Sequence, residues 1–250
     1  MAAENRGDGG ADANARNGDG NGDGNGDLHG HHAGPAQGPA TPGGRRRASL
    51  PSGFRHLPGH FDRPAQEALV AELRQVITEA PLFTPVMPRT GKPFSVRMSN
   101  CGPLGWVSDL RGYRYQPLHP VTGRPWPAMP AVLTALWTEL APDAPPPEAC
   151  LINFYTGDAR MGLHQDRDED TFDAPVVSVS LGDSALFRIG GQKRNDPTLS
   201  VRLASGDVAL LGGAARLAFH GIDRLYPGTS TLLRDGGRIN LTLRRVTRAA

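Results

Sequence analysis

Two histidines and one aspartate are the residues in this sequence with the clearest capacity for chemistry. His164 and Asp166 lie two positions apart, and His220 follows an apolar run over 217–219. In an extended segment, side chains two positions apart point the same way. Two imidazoles and one carboxylate form the facial triad that suits non-haem Fe(II), although hydrolytic zinc sites use the same groups. Each residue also has an ordinary structural interpretation, because surface His-x-Asp pairs are common and a buried histidine can bond to a backbone carbonyl.

The segment 238–244 alternates strictly between polar and apolar residues, which predicts a strand. Its apolar face carries Ile239, Leu241 and Leu243, and its polar face carries Arg238, Asn240, Thr242 and Arg244. A guanidinium group pairs with a carboxylate through two N–H groups, so this face would suit a dicarboxylate if it lined a barrel. An edge strand with its charged face in water fits the same pattern, and periodicity alone leaves both interpretations open.

A second alternating segment, 151–155, places Asn153 and Tyr155 on one face. Both side chains can form hydrogen bonds to a carboxylate or a keto acid. Tyrosine in a strand more often serves packing, so this pair is a weak indication by itself.

The elements that position these residues indicate a mainly β protein of the α+β class. Helical periodicity predicts helices over 63–80 and about 128–140, and an aromatic stretch over 106–115 predicts a hairpin. Short strands separated by turn residues predict an antiparallel sandwich or barrel with the helices on one outer face. The predicted strands are 150–155, 176–181, 185–190, 199–203, 207–211, 216–220 and 238–246.

Composition divides the 250-residue chain into a tail and one domain. Residues 1–49 are rich in Gly, Asn, Asp and Ala and hold almost no large apolar side chains, so we expect them to be disordered. Residues 50–250 suffice for one folded domain. The net charge of +2 is too small to indicate a polyanionic partner by itself. The two cysteines and the absence of a signal-like N-terminus predict a protein of the cytoplasm, and the lack of a long apolar run predicts no membrane span. We also expect the protein to be a monomer.

Seven segments together resemble the AlkB family of bacterial dioxygenases that depend on Fe(II) and 2-oxoglutarate. They span roughly residues 95–246 and stand in the family's order. The segments are NCGPLGW (100–106), PWPAMP (125–130), NFY (153–155), LHQDRDE (163–169), GGQKRNDP (190–197), FHGI (219–222) and RINLTLR (238–244).

This resemblance implies a double-stranded β-helix, or jelly roll, with helices at its N-terminal side and a nucleotide-recognition region. It implies that Fe(2+) is bound by the catalytic triad of His164, Asp166 and His220. It further implies that 2-oxoglutarate is held by Arg238 and Arg244 with help from Asn153, Tyr155 and Asn240. Together with O2, this cosubstrate serves the oxidative removal of alkyl groups from bases such as N1-methyladenine and N3-methylcytosine, with release of formaldehyde and succinate.

The resemblance also implies a site for a flipped base of single-stranded DNA or RNA. Trp106 matches the stacking aromatic, and Asp168 matches the carboxylate that contacts the exocyclic amine. Tyr113 and Tyr115 match residues that line the pocket, and Arg194 would approach phosphates. Without the resemblance, a core tryptophan, two hairpin aromatics and solvated charges are the simpler interpretations.

Three other functions remain open at this point. A relative of the family could act mainly on methylated RNA or on protein. A non-catalytic nucleic-acid-binding module could keep the fold, but it would be expected to lack part of the triad or one arginine. A cupin-like binder would leave the alternating arginine strand unexplained.

Overall fold

The computed structural model describes residues 49–248. Apart from its last residue, the tail expected to be disordered over 1–49 lies outside the described residues, and the domain limits of 50–250 stay a prediction. Among the described residues, no helix is both long and apolar enough to cross a membrane.

Twelve strands, two α-helices and one short 3-10 helix make up the described chain. The helices are α1 (Arg63–Glu79) and α2 (Ala131–Leu140), and the 3-10 helix is Gly213–Ala215. The strands are β1 (Phe54–Leu57), β2 (Arg97–Cys101), β3 (Gly105–Asp109), β4 (Gly112–Gln116), β5 (Ala149–Tyr155), β6 (Met161–His164), β7 (Val176–Gly182), β8 (Ser184–Ile189), β9 (Leu199–Leu203), β10 (Val208–Leu211), β11 (His220–Tyr226) and β12 (Arg238–Arg244).

The strands form two antiparallel sheets and a separate hairpin, which agrees with the predicted jelly roll. The larger sheet has the order β1-β10-β7-β12-β5-β2, and the smaller sheet has the order β6-β11-β8-β9. An apolar cluster joins the facing sides of the two sheets. It includes Met98, Leu151, Val176 and Leu211 from the larger sheet and Phe187, Ile189, Leu203 and Ile222 from the smaller one.

Both predicted helices are present and pack against the outer face of the larger sheet. Helix α1 begins after Asp62, whose side chain accepts a hydrogen bond from the backbone N–H of Ala65 at 2.9 Å. Its apolar stripe shares one core cluster with α2 and with the apolar face of β12. Helix α2 begins at Ala131, later than predicted, because a residue preceding a proline disfavours helical backbone and Pro130 stands at the N-cap.

The predicted hairpin is confirmed as β3 and β4, with Trp106 opposite Tyr115. The strand predicted over 216–220 is wrong, because the 3-10 helix continues into a turn in which Ala218 N–H donates to Ala215 O at 3.0 Å. The strand there begins only at His220. The sequence patterns missed β1, β2 and β6. In β2, four of five residues are buried, so the alternation that marks a half-exposed strand is absent.

Candidate active site

Two neighbouring strands bring the predicted metal ligands together. His164 is the last residue of β6, His220 is the first residue of β11, and the two face each other in the strand register. Asp166 lies two residues beyond β6, with its carboxylate oxygens 3.6 Å from His164 Nε2 and 3.8 Å from His220 Nε2. One candidate ligand atom from each residue lies within 4.8 Å of the others. A single ion can therefore be reached by all three side chains.

Backbone carbonyls fix the orientation of both imidazole rings. The Nδ1 atom of His164 lies 2.9 Å from Gly162 O, and the Nδ1 atom of His220 lies 2.9 Å from Ala218 O. A carbonyl only accepts hydrogen bonds, so Nδ1 carries the proton in each ring and Nε2 keeps its lone pair. Metal-bound histidines are oriented in this way by a partner on the other nitrogen. The donor set thus fits a divalent metal ion.

The electrostatics of the cavity keep His220 and Asp166 in the protonation states that metal binding requires. Burial lowers the pKa of His220 from 6.5 to about 4, and the neighbouring His164 acts in the same direction. Burial alone would raise the pKa of Asp166, but the charge of Arg244 and a hydrogen bond from its guanidinium hold it well below its usual range. A neutral imidazole and an ionised carboxylate are therefore present at neutral pH, as a metal ion needs.

Gly221 allows the two ligand-bearing strands to approach each other closely. A Cβ atom at this position would lie 2.5 Å from Met161 O and 2.9 Å from Gly162 O, both backbone atoms of β6. The register between β6 and β11 shifts at this point. A larger residue would push β6, and with it His164, away from its partner.

The polar face of β12 lines the cavity that contains the triad. Strand β12 lies between β5 and β7, so it is a central strand and the edge-strand interpretation is wrong. Its apolar face packs toward the helices. The cavity has a volume of about 550 Å³ and is also lined by both predicted arginines, Asn153, Tyr155 and Asn240. The two arginines have different surroundings.

Arg238 is a fully buried cation whose partners are neutral. Its side chain donates to Ser180 Oγ at 2.7 Å and to Asp183 O at 3.4 Å, and Nε has no partner within the described residues. Burial lowers the pKa of Arg238 to about 10. Asn153 Oδ1, which belongs to the same cavity, also lacks a partner. Unpartnered buried polar atoms are rare, and the free N–H of Arg238 fits an anionic ligand, whereas the Asn153 oxygen calls for a donor.

Arg244, in contrast, is paired with acids of the site. Its Nη2 lies 2.8 Å from Asp166 Oδ1, and its Nε lies 3.4 Å from Glu169 Oε1. It also donates to the hydroxyl of Tyr115 at 3.2 Å. Arg244 therefore lies between the triad and the hairpin.

Of two further predicted cosubstrate residues, Asn240 is held by hydrogen bonds and Tyr155 is packed in the apolar cluster between the sheets. Asn240 donates to Ser178 Oγ at 2.7 Å and accepts from Thr242 Oγ1 at 3.1 Å. Tyr155 is buried, and burial raises its pKa to about 12, so its hydroxyl keeps its proton and remains a donor. Both side chains line the cavity beside Arg238.

Comparison with known proteins identifies the family to which this site belongs. Residues 53–244 match the 2OG-Fe(II) oxygenase superfamily. The chain is 57% identical over 197 residues to the alpha-ketoglutarate-dependent dioxygenase AlkB homolog of Caulobacter vibrioides, covering 79% of this chain and 89% of that protein. It is 45% identical over 186 residues to alpha-ketoglutarate-dependent dioxygenase AlkB of Escherichia coli, covering 72% and 85%. This chain belongs to the AlkB-type 2OG-Fe(II) oxygenases.

A solved structure supports the same family at the level of the fold. The structure of OsALKBH1 aligns with a TM-score of 0.63 and 32% identity, and the alignment covers 77% of this chain and 98% of that one. The two antiparallel sheets of this AlkB-type oxygenase therefore represent the jelly roll of the superfamily.

The aromatic residues predicted to hold a base line the same cavity of this AlkB-type oxygenase. Trp106 and Tyr113 are stacked, with ring centroids 5.5 Å apart and an interplanar angle of 18°. The indole N–H of Trp106 donates to Asp168 Oδ2 at 2.8 Å. Tyr115 donates its hydroxyl proton to Glu169 at 2.6 Å. The hairpin thus forms one wall of the cavity and is bonded to the loop that follows Asp166.

Arg194 lies at the exposed side of this cavity. Its Nη1 donates to Leu163 O at 3.1 Å, and its guanidinium lies 5.7 Å from the centroid of the Phe219 ring. Both contacts are to residues adjacent to metal-ligand candidates. The guanidinium of Arg194 is therefore held close to the triad, and neither of these two contacts is with a carboxylate.

A buried ion pair between Glu169 and Arg216 was not predicted from the sequence. Arg216 Nη2 lies 3.2 Å from Glu169 Oε2, and both side chains are at least 97% buried. The only indication in the sequence is that Glu169 lies directly after Asp168 and three residues after Asp166, which are both predicted site residues. Arg216 precedes an apolar run in the sequence, and nothing in that pattern indicates a charged partner 47 residues upstream.

Proposed function

We propose that this protein removes alkyl groups oxidatively from nucleobases such as N1-methyladenine and N3-methylcytosine, with release of formaldehyde and succinate. The observation that carries this proposal is one cavity lined by three side chains that could hold a metal ion, by a buried arginine with only neutral hydrogen-bond partners and by a stacked aromatic pair. The names of the bacterial relatives, which are AlkB dioxygenases, support the same activity.

In this proposal the triad of His164, Asp166 and His220 binds Fe(2+), and 2-oxoglutarate lies against the polar face of β12. Arg238 pairs with one carboxylate of the cosubstrate, because its buried charge otherwise has only neutral partners. Arg244 binds the end of 2-oxoglutarate that lies nearer the metal. Bound iron, 2-oxoglutarate and O2 supply the oxidising chemistry, and the protein contributes placement and exclusion of water.

The substrate base enters from the hairpin side of the cavity. A methylated base inside a duplex cannot reach the triad, so the enzyme takes a flipped or unpaired nucleotide of DNA or RNA. Trp106 and Tyr113 offer aromatic faces for stacking. Asp168 provides a negative charge at the cavity, which favours the cationic bases N1-methyladenine and N3-methylcytosine over neutral ones. Arg194 provides a positive charge for phosphate at the mouth.

The strand type of the partner, the oligomeric state and the cellular location complete the proposal. A single-stranded nucleic acid is the partner, because an unpaired base needs no duplex opening. The enzyme acts as a monomer, and we place it in the cytoplasm because its two cysteines are both free thiols.

The decisive experiment measures formaldehyde and succinate from single-stranded oligonucleotides that carry one N1-methyladenine. DNA and RNA versions are compared, with and without Fe(2+) and 2-oxoglutarate. Asp166→Ala should abolish both products, because it removes a ligand from the triad. Asp170→Ala, a change of the same type at an exposed acid of the same loop, should retain them. Succinate without formaldehyde from both oligonucleotides would show that 2-oxoglutarate is consumed without removal of the methyl group, which would refute N1-methyladenine as a substrate. Full turnover by Asp166→Ala would show that the metal site is wrong.

A further inference from the structure

One cross-strand residue pair of the hairpin forms hydrogen bonds to two consecutive acids in the loop that follows Asp166. Trp106 and Tyr115 face each other across β3 and β4. Trp106 donates to Asp168 at 2.8 Å, and Tyr115 donates to Glu169 at 2.6 Å. These acids follow Asp166 by two and three residues. The position of the hairpin is therefore tied to the segment that carries the carboxylate of the triad.

The two bonds lie in different surroundings. Asp168 is exposed, whereas the side chain of Glu169 is 1% exposed and forms its ion pair with Arg216. Arg216 also donates to the backbone oxygens of Asp166 at 2.7 Å and Ala174 at 3.0 Å. Glu169 is thus fixed to its own loop by a second buried charge. A buried pair of this kind contributes little net stability, which favours a role in placement.

Glu169 and Tyr115 also meet the arginine nearest the triad. Arg244 donates to the Tyr115 hydroxyl at 3.2 Å, and its Nε lies 3.4 Å from the Glu169 oxygen that accepts from the same hydroxyl. The three groups therefore form a closed triangle. A displacement of Glu169 would remove one contact of the hairpin hydroxyl and one of Arg244, whose other charged partner is Asp166 at 2.8 Å.

We propose that Glu169 is a positioning residue that couples the placement of the hairpin to the binding of 2-oxoglutarate at Arg244. Arg216 holds Glu169 in place, Glu169 orients Tyr115, and both orient Arg244. Coupling of this kind is reciprocal, so a ligand at Arg244 also restrains the hairpin. The inference rests on the proposed function in one respect, namely that Arg244 contacts 2-oxoglutarate.

The test measures the affinity of Mn(II)-loaded protein for 2-oxoglutarate by calorimetry and the amide hydrogen exchange of residues 105–116. Tyr115→Phe should weaken binding about fivefold, as expected for one lost hydrogen bond. Glu169→Gln should weaken it by a similar factor, because the amide keeps an acceptor for Tyr115 but loses the negative charge that faces Arg216 and Arg244. The double variant should bind no more weakly than the weaker single variant, because both changes break the same triangle. 2-Oxoglutarate should slow exchange in the hairpin of the wild type but not in that of the variants.

Asp109→Asn is the matched control, since it breaks an ion pair with Arg114 inside the same hairpin at 2.8 Å and touches neither Glu169 nor Arg244. It should leave the affinity for 2-oxoglutarate unchanged. If Glu169→Gln does not fold because Arg216 loses its charge partner, Tyr115→Phe carries the test alone. Wild-type affinity in folded variants, or effects that simply add in the double variant, would overturn the coupling. A wild type that does not bind 2-oxoglutarate would instead overturn the proposed function.

Discussion

Replacing Arg238 with methionine tests the cosubstrate site most directly. Burial lowers the pKa of this guanidinium from 12.5 to about 10. Since each tenfold change in the acid constant equals about 1.4 kcal/mol, the charged form is destabilised by about 3 kcal/mol when no anion is bound. Hydrogen bonds to Ser180 and Asp183 offset roughly 1–3 kcal/mol of this cost. We therefore expect the free energy of unfolding of ligand-free Arg238→Met to lie within about 2 kcal/mol of wild type.

The stabilisation by 2-oxoglutarate should differ between the wild type and Arg238→Met. At a hundredfold excess of 2-oxoglutarate over its Kd, the Mn(II)-loaded wild type should gain about 2.7 kcal/mol of stability, or about 5–10 °C in Tm. Arg238→Met should gain much less, because the carboxylate that Arg238 binds then meets no cation, and only Arg244 and the metal ion remain to hold the ligand. Differential scanning calorimetry with and without the ligand measures this difference.

Arg202→Met provides the control for loss of a guanidinium group. Arg202 lies against the Tyr226 ring at 4.6 Å and is exposed, outside the cavity lining. The Tm of Arg202→Met should rise with 2-oxoglutarate as much as that of wild type. A wild-type rise in Arg238→Met would refute the assignment of Arg238 to a carboxylate. A loss of stability of about 3–5 kcal/mol without ligand would show that Arg238 already has a compensating charge.

The remaining predictions concern the base, the strand contact and the C-terminal segment. Asp168→Ala should lower product release from N1-methyladenine more than from the neutral base ethenoadenine, and equal losses would contradict selection by charge. Gly221→Ala should weaken Mn(II) binding in a metal titration, since its Cβ would lie 2.5 Å from Met161 O; unchanged affinity would contradict the close approach. Glu148 is partly buried, which opposes ionisation, but hydrogen bonds from Thr247 lower its pKa below 4.5. Glu148→Gln should therefore be less stable than wild type at neutral pH, and the difference in Tm should vanish as the pH falls below the lowered pKa; a difference that persists in acid would refute this.

Local patterns predicted the parts of the molecule whose two faces differ. The alternation in 238–244 gave the correct strand and the correct faces, because one face of β12 packs against the helices and the other lines a polar cavity. Helix α1 was likewise predicted within one residue, since it has a clear apolar stripe and a cap at Asp62. The convergence of His164, Asp166 and His220 was predicted from residue types and from the family resemblance.

Elements that are uniformly buried or defined by distant partners were not predictable in this way. Strand β2 is buried along most of its length and lacks alternation. The apolar run over 217–219 was read as a strand, although the preceding 3-10 helix turns the chain there. The pairing of Glu169 with Arg216 depends on the fold bringing two remote segments together. Single-sequence periodicity contains no information on such contacts.

The stack of Trp106 on Tyr113 also gives the protein an optical reporter at its own cavity. The chain has three tryptophans, and Trp126 and Trp137 are 6% and 1% exposed, with their indole N–H groups bonded to backbone oxygens. Only Trp106 has a side chain that contacts both a neighbouring ring and a carboxylate in the cavity. A change in intrinsic emission on titration with an oligonucleotide would therefore originate at the hairpin. Occupancy of the cavity can be followed without any attached dye.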